Sequence, residues 1–121
     1  MDLKEVMEQK VFVVAGDTLQ EDKYACKIKR AMEQYGYRVY GVGEELKSLN
    51  DVPEEIDILD LCIQSKKGLA LLQECRRSFQ GIVIQPGAES DELLAFLLEK
   101  KLPYLESCLL RGLRQYHGAD V

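Results

Sequence analysis

Short apolar runs separated by helical patterns are the feature that most constrains the fold of this chain. The run VFVVA at residues 11–15 is apolar and rich in β-branched side chains, as is typical of a strand buried on both faces of a sheet. Four more strand-like segments follow, at 37–42, 55–63, 81–87 and 102–106. Helical patterns lie before, between and after the strands, at 2–9, 22–35, 69–79, 90–101 and 109–116.

Strands that alternate with helices indicate a parallel sheet, because parallel strands need crossover connections, and these are right-handed. The sequence therefore predicts an α/β fold: a three-layer, Rossmann-like sandwich with a five-stranded parallel sheet of order 3-2-1-4-5. Only the connection between the second and third strands lacks a long helix, with room for about one turn at 44–51. In such sheets a ligand binds beyond the carboxyl ends of the strands where the order reverses. This rule places the predicted site at Gly16, the end of the first strand.

Length and charge narrow the classes of function. The 121 residues are predicted to form a single domain, 1–121, around one hydrophobic core. The formal net charge of -5 argues against a dedicated nucleic-acid-binding protein, whose affinity depends on lysines and arginines that neutralise phosphates. No apolar run approaches the roughly 20 residues that cross a bilayer, so we expect no membrane partner. The charged N-terminus MDLKEVMEQK lacks the apolar core of a signal peptide, and we expect a cytoplasmic protein.

The residues that carry most enzymatic chemistry are sparse. The chain has four cysteines, at positions Cys26, Cys62, Cys75 and Cys108. They form no CxxC pair, and the single histidine is His117, so we expect no metal site. Asp57 and Asp60 are three apart in a predicted strand and therefore point to opposite faces. With no acid–base pair and no Ser/His/Asp set, the sequence favours a binding protein over an enzyme.

The turn after the first strand is the leading candidate for a ligand site. Gly16, Asp17 and Thr18 follow the strand and precede a helical pattern. Backbone N–H groups at the start of a helix bind phosphate, and the Thr18 hydroxyl adds a donor. Gly16 lets a ligand approach the backbone closely. The alternative is that Gly16 serves only the bend between strand and loop, since the dinucleotide motif GxGxxG is absent.

Four motifs, in order along the chain, carry a family resemblance. The stretch FVVAGDTLQEDKYACKIKRAMEQYGYRV combines a hydrophobic strand, a Gly-x-Thr corner, a basic residue at the helix entry and a Gly-Tyr-x-Val second strand. It is followed by SLNDVPEEIDILDL at 48–61, by IVIQPGAES at 82–90 and by Cys108 after the fifth strand. Over roughly residues 10–110, these motifs resemble the small CoA-binding proteins, relatives of the Rossmann-type domain at the front of succinyl-CoA synthetase α subunits.

The resemblance implies that CoA or an acyl-CoA binds across the carboxyl edge of the sheet. Gly16 and Thr18 take the corner positions of the family motif, Lys23 the basic position and Ala25 the position of a serine. The phosphates would then be held by the backbone at Gly16–Thr18, with help from the Lys23 ammonium group. Such a protein would act as a sensor or carrier of its ligand.

The same resemblance implies which residues contact the rest of the ligand. The adenine would lie beside Val42 and Gly43, at the end of the second strand. The turn after the fourth strand, which would contact the pantetheine arm or close the cleft, consists of Gln85, Pro86 and Gly87. Cys108 would lie near the ligand-side edge, where its thiol could sense oxidation or exchange with the thiol of CoA.

One departure from the family pattern leaves two alternatives open. The family reads Pro-Val-Asn-Pro after the second strand, whereas this chain reads GVGEE at 41–45 and has a shorter loop. An acid at this place binds a ribose hydroxyl in NAD-type sites, so Glu44 or Glu45 suggests NAD or another nucleotide instead of CoA. The second alternative is a degenerate member that has lost its ligand and serves as a protein-interaction module, for example as a homodimer.

Overall fold

The computed structural model describes residues 1–121 and contains one sheet of five parallel strands with five α-helices. The strands are β1 (Val11–Gly16), β2 (Arg38–Gly43), β3 (Ile58–Leu61), β4 (Gly81–Ile84) and β5 (Tyr104–Glu106). The helices are α1 (Leu3–Met7), α2 (Tyr24–Gln34), α3 (Ser65–Glu74), α4 (Asp91–Glu99) and α5 (Leu109–His117). The predicted fold class, a three-layer Rossmann-like α/β sandwich with five parallel strands, is confirmed.

The position of β3 differs from the predicted strand order. The sheet runs β2-β1-β3-β4-β5, whereas the prediction of 3-2-1-4-5 put the third strand outside the second. β3 pairs with β1 on one side and β4 on the other, and all four of its residues are buried. β2 instead forms one edge of the sheet, with Arg38 exposed and Tyr40 half-buried. A strand with no exposed side chain belongs in the middle of a sheet, and this explains the observed order.

The chain crosses from β2 to β3 over β1 without an α-helix. The connection contains one 3-10 turn, Leu49–Asp51. Its buried side chains Leu49, Val52 and Ile56 pack in the same cluster as Val13 and Ala15 of β1, where a helix would otherwise lie. The direction of winding therefore reverses between β1 and β3, and an open α/β sheet binds ligands beyond the carboxyl ends of such a pair.

Helix α3 begins and ends earlier than the predicted segment 69–79. It starts at Ser65 and stops at Glu74, because Cys75 adopts an extended conformation with a ψ of 132°. Beyond that point the Arg77 guanidinium donates hydrogen bonds to backbone oxygens of the 3-10 connection, at 3.4 Å to Leu49 and 2.7 Å to Val52. These bonds hold the residues after α3 against the connection in an extended path.

Helices cover both faces of the sheet. On one face, Phe12 and Val14 of β1 pack against α1, α2 and α5. On the other face, Val13 and Ala15 pack against α3, α4 and the 3-10 connection. Burying one of the larger apolar side chains stabilises the folded state by about 1.5–3 kcal/mol. Because side chains alternate along β1, this strand packs against the helices on both faces of the sheet. None of the helices combines the length and the apolar character that a membrane crossing requires.

Candidate functional site

A cleft along the carboxyl edge of the sheet joins three cavities. The main cavity, about 620 Å³, opens at the ends of β1, β2 and β3. A second cavity of about 430 Å³, called the α5 cavity below, lies at the start of α5. A third, of about 280 Å³, lies over the turn after β4. Cys62, directly after β3, lines all three, so the cleft reaches from β2 to β5 past this residue.

Gly16 forms part of the floor of the main cavity, and packing alone requires a glycine there. Its φ is +154°. A Cβ atom at this position would collide with the carbonyl oxygen of Cys62 and lie 2.8 Å from the Cβ of Ala25. The absence of a side chain therefore lets β1 approach both β3 and α2, whatever the cleft binds.

Asp17 lines the main cavity, but hydrogen bonds within its own loop occupy its carboxylate. One oxygen accepts from the backbone N–H of Leu19 at 3.1 Å and from that of Gln20 at 3.2 Å. The other accepts from the Gln20 side-chain amide at 2.7 Å. Asp17 thus shapes the loop between β1 and α2 as an Asx turn does.

Thr18 does not face the cleft. Its side chain is 6% exposed, and its hydroxyl donates a hydrogen bond to the Glu45 carboxylate. That carboxylate also lies 3.9 Å from the Lys29 ammonium nitrogen. Both Thr18 and Glu45 pack over Gly41, where a Cβ would collide with them. The expected role of the Thr18 hydroxyl as a phosphate donor is therefore not supported by its position, and Glu45 is turned away from the cavity with it.

The end of β2 supplies Gly43 and Glu44 to the main cavity but not Val42. Val42 is fully buried in the hydrophobic cluster on the α3 and α4 face, because side chains alternate along the strand. The expectation that its side chain contacts an adenine is therefore corrected. Gly43 has a φ of +132°, and its backbone comes so close to β1 that a Cβ would lie 2.8 Å from the Gly16 carbonyl oxygen.

Two lysines and two carboxylates line the main cavity. Lys23 lies at the start of α2 and Lys67 in the first turn of α3, across the cavity from each other. Neither ammonium group forms an ion pair or a hydrogen bond within the protein. The carboxylates are Asp17, held by its loop, and Glu44, which has no partner. An anionic ligand would meet two free cations and one free anion.

Three helices begin at the cleft, and none of them has a side-chain cap. The N-terminal residues of α2, α3 and α5 are Lys23, Gln64 and Cys108, and none of their side chains accepts a bond from the helix. No acidic residue occupies the first turn of any of the three. The first three N–H groups of α2 and of α5, and the first two of α3, have no acceptor in the protein.

The other two helices show the opposite arrangement. Ser90 caps α4 by accepting from the Leu93 N–H at 3.1 Å, and Asp91 and Glu92 follow it. Asp2 and Glu5 form a capping box at the start of α1. Free N–H groups carry a partial positive charge that favours an anion. The uncapped helices therefore provide donors for a ligand at the cleft.

The turn after β4 lines the α5 cavity and the third cavity. Gln85 is 5% exposed and lines both, and its side-chain oxygen Oε1 has no hydrogen-bond donor. Pro86 lines both as well, and Gly87 lines the third cavity. Gly87 has a φ of +95°, and its N–H donates to the Glu89 carboxylate at 2.8 Å. The predicted Gln-Pro-Gly turn thus lies at the cleft, with Gln85 as its polar group.

Cys108 lies at the α5 cavity, half-buried, with the Tyr24 hydroxyl 3.9 Å from its sulfur. The charge that Cys108 carries when ionised raises the pKa of Tyr24, and burial adds to this effect. Burial also raises the pKa of the neighbouring Cys62 thiol to about 12, with smaller contributions from Asp60 and Cys108. Cys62 is therefore a neutral thiol at neutral pH and a poor nucleophile.

A carboxyl group is buried in the sheet next to this part of the cleft. Asp60 lies in β3 between Val14 of β1 and Val83 of β4, with 0% exposure. Neither of its oxygens has a hydrogen-bond partner. Burial raises the pKa of Asp60 well above its ordinary value, which favours the uncharged form.

The structure brings together most of the predicted site residues and adds others. Around the cleft lie the predicted residues Gly16, Asp17, Lys23, Gly43, Gln85, Pro86, Gly87 and Cys108. The sequence analysis missed the lining residues Tyr24, Cys62, Ile63, Lys67 and Leu71. Tyr24 lies at the start of α2. The other four follow from the placement of β3 beside β1, because that placement brings the end of β3 and helix α3 to the site.

The chain matches a protein-family model described as a CoA binding domain over residues 10–113. No curated protein matches it. Among solved structures, a hypothetical protein from Pyrococcus horikoshii is 20% identical with a TM-score of 0.83, and the match covers 97% of this chain and 91% of that one. A conserved hypothetical protein from Pyrococcus furiosus is 22% identical with a TM-score of 0.75, covering 85% and 98%. These structures establish likeness of fold.

Proposed function

The chain belongs to the family of CoA-binding domains, and from this membership we propose that it binds CoA or an acyl-CoA along the cleft. We propose further that it acts as a sensor or carrier of this ligand and has no catalytic activity of its own. The observation that carries the proposal is the set of three uncapped helices, α2, α3 and α5, whose free N–H groups open on one cleft.

The phosphates fit the main cavity best. The starts of α2 and α3 both border it, and Lys23 and Lys67 lie on these same two helices. Helix N-termini and lysines together are a common arrangement for binding phosphate groups. The net charge of -5 does not oppose this, because the contacts are local. Glu44 is the one free carboxylate beside this position, and it weakens the binding of a polyanion without blocking it.

The length of the cleft matches the arm of CoA. Neighbouring strands lie about 4.8 Å apart, so the three steps from β1 through β3 and β4 to β5 span about 14 Å. The pantetheine arm has about 12 bonds between the pyrophosphate and the sulfur, and at about 1.2 Å per bond it extends about 14 Å. A ligand with its phosphates at Gly16 would therefore bring its sulfur near Cys108 and Gln85.

A binding role fits the chemistry of the side chains around the cleft. His117 lies at the end of α5 remote from the cleft, where its ring nitrogen is 2.7 Å from the Tyr37 hydroxyl. The Cys62 thiol is neutral, as derived above from its pKa. The family matched is one of CoA-binding domains, and no match favours the NAD alternative.

A pair of neighbouring lysines provides a controlled test. Lys67 lines the main cavity, whereas Lys66, its exposed neighbour in α3, does not. We expect Lys67→Ala to weaken CoA binding about 5-fold, as measured by isothermal titration calorimetry, since an exposed ion pair contributes about 1 kcal/mol. Lys66→Ala removes the same charge from the same helix and should change the affinity less than about 2-fold. Equal losses in the two variants would refute a phosphate site at α3.

A further inference from the structure

The α5 cavity contains two arginines and the start of a helix, which the phosphates and the pantetheine arm leave unused. It lies at the β5 end of the cleft, past Cys62, and its lining includes Cys108 and Gln85, near which the ligand sulfur is expected. Its volume of about 430 Å³ is within the range of small-molecule sites. Whatever is attached to the sulfur of CoA would enter this space.

The charged side chains of the α5 cavity are two arginines and one glutamate. Arg111 is exposed and forms no ion pair or hydrogen bond within the protein. Arg114 donates a hydrogen bond to the backbone oxygen of Val121 at 2.7 Å, so part of its guanidinium is occupied. Glu106 is the opposing carboxylate. The local balance is positive in a protein that is acidic as a whole.

The start of α5 adds donors to the same cavity. Cys108 is the residue before the helix, and its side chain makes no capping bond. The N–H groups of Leu109, Leu110 and Arg111 have no acceptor in the protein. A carboxylate at this place would receive hydrogen bonds from the helix and from the Arg111 guanidinium, whose fork matches two carboxylate oxygens.

A second, independent observation points to a ligand here. Gln85 lines the α5 cavity, is 95% buried, and has no donor for its Oε1 atom. An unpaired buried amide oxygen destabilises the folded protein. Rotation about the last side-chain bond exchanges the amide oxygen and nitrogen, so the oxygen can be turned toward a ligand. The amide N–H nearest the sulfur of a pantetheine arm is a donor of the required kind.

We propose that the α5 cavity receives the acyl group of an acyl-CoA, and that this acyl group ends in a carboxylate. Arg111 and the start of α5 would hold the carboxylate, and Gln85 would accept a hydrogen bond from the last amide of the arm. The inference rests on the proposed function, because the thioester reaches this cavity only if CoA lies along the cleft. An uncharged acyl group would leave Arg111 and the helix donors without an acceptor.

The test compares two esters that differ in charge. Glutaryl-CoA ends in a carboxylate, and pentanoyl-CoA has the same number of acyl carbons without the charge. We expect the unmodified protein to bind glutaryl-CoA about 10-fold more tightly in calorimetric titrations, the advantage of one charge-assisted contact. Arg111→Gln should bring the two affinities within about 2-fold and leave the affinity for CoA itself unchanged.

Two further variants separate the preference for a carboxylate from the binding of CoA itself. Arg30→Gln changes an exposed arginine outside the cleft, where its partner is Glu21, and should leave the 10-fold preference intact. Gln85→Met should weaken CoA and both esters alike while preserving their ratio, with thermal melting as the check on folding. Equal affinity for the two esters, or a preference that survives Arg111→Gln, would overturn this inference while leaving CoA binding intact. Failure of all three ligands to bind would overturn the proposed function as well.

Discussion

Replacing Asp60 by asparagine should alter the way the stability of this protein depends on pH. Asp60 is fully buried in β3 between two valines, and its carboxyl oxygens have no partner. No cation lies within ion-pair distance of it. Burial therefore raises the pKa of Asp60 in the folded state well above its ordinary value. In the unfolded chain the pKa returns to about 3.9.

The sign and size of the effect follow from proton linkage. The folded state retains a proton that the unfolded state releases, so the stabilising contribution is complete below the unfolded pKa. It is lost as the pH rises toward the folded pKa. Over that interval the free energy of unfolding falls by about 1.4 kcal/mol per pH unit, because the unfolded state binds one proton fewer. Asp60→Asn has no proton to lose at this position and should not show this decline.

The assay is urea unfolding of both proteins at pH 5 and at pH 6. We expect the variant to gain stability relative to the unmodified protein between these two values, by at most about 1.4 kcal/mol, the limit that one proton sets per pH unit. The difference isolates Asp60, since both proteins share every other titrating group, including Glu54, whose pKa is lowered by its hydrogen bonds with Arg38 and Tyr40. Parallel dependence of the two proteins on pH would show that Asp60 is ionised in the folded state and would refute the reasoning.

Two further substitutions test the shape and the charge of the main cavity. Gly16→Ala should lower the free energy of unfolding by about 3 kcal/mol, because its Cβ would collide with the Cys62 carbonyl. Gly36 has a φ of +88° but open space around it, so Gly36→Ala should lower the free energy of unfolding by only about 1 kcal/mol. Equal losses of the two variants in denaturant unfolding would contradict the packing argument. Glu44→Gln should tighten CoA binding about 3-fold by removing the free carboxylate from the cavity, whereas the control Glu99→Gln on α4 should leave the affinity unchanged. A calorimetric titration in which both variants or neither bound CoA more tightly would contradict this placement of the phosphates.

The sequence predicted the secondary structure elements well because each has a distinct local signature. The β-branched run at 11–15 and the helical pattern at 90–101 needed no knowledge of distant contacts. The order of the strands depends on burial in the assembled sheet, and the sequence analysis placed β3 at the wrong side of β1. The end of α3 also depends on a distant contact, because Arg77 leaves the helical path to bond the 3-10 connection.

The difference between local patterns and distant contacts also explains which site residues could be predicted from the sequence. Gly16, Lys23 and Gln85 were predicted from motifs and lie at the cleft. Cys62 and Lys67 were missed because they reach the cleft only through the pairing of β3 with β1. Glu45 binds Thr18, 27 residues away in sequence, and turns both side chains from the cavity, which no local pattern reveals. Alternation along β2 could have indicated that Val42 points into the core.

Isothermal titration of the unmodified protein with CoA and, separately, with NAD tests the central claim most directly. We predict that CoA binds with a dissociation constant in the micromolar range. This affinity corresponds to a binding free energy of about 8 kcal/mol, shared among the phosphate and arm contacts. We predict no comparable binding of NAD. If the protein bound NAD but not CoA, a nucleotide site at Glu44 would be favoured and the proposed function would be contradicted. Binding of neither would contradict it too, and would favour an interaction module that has lost its ligand.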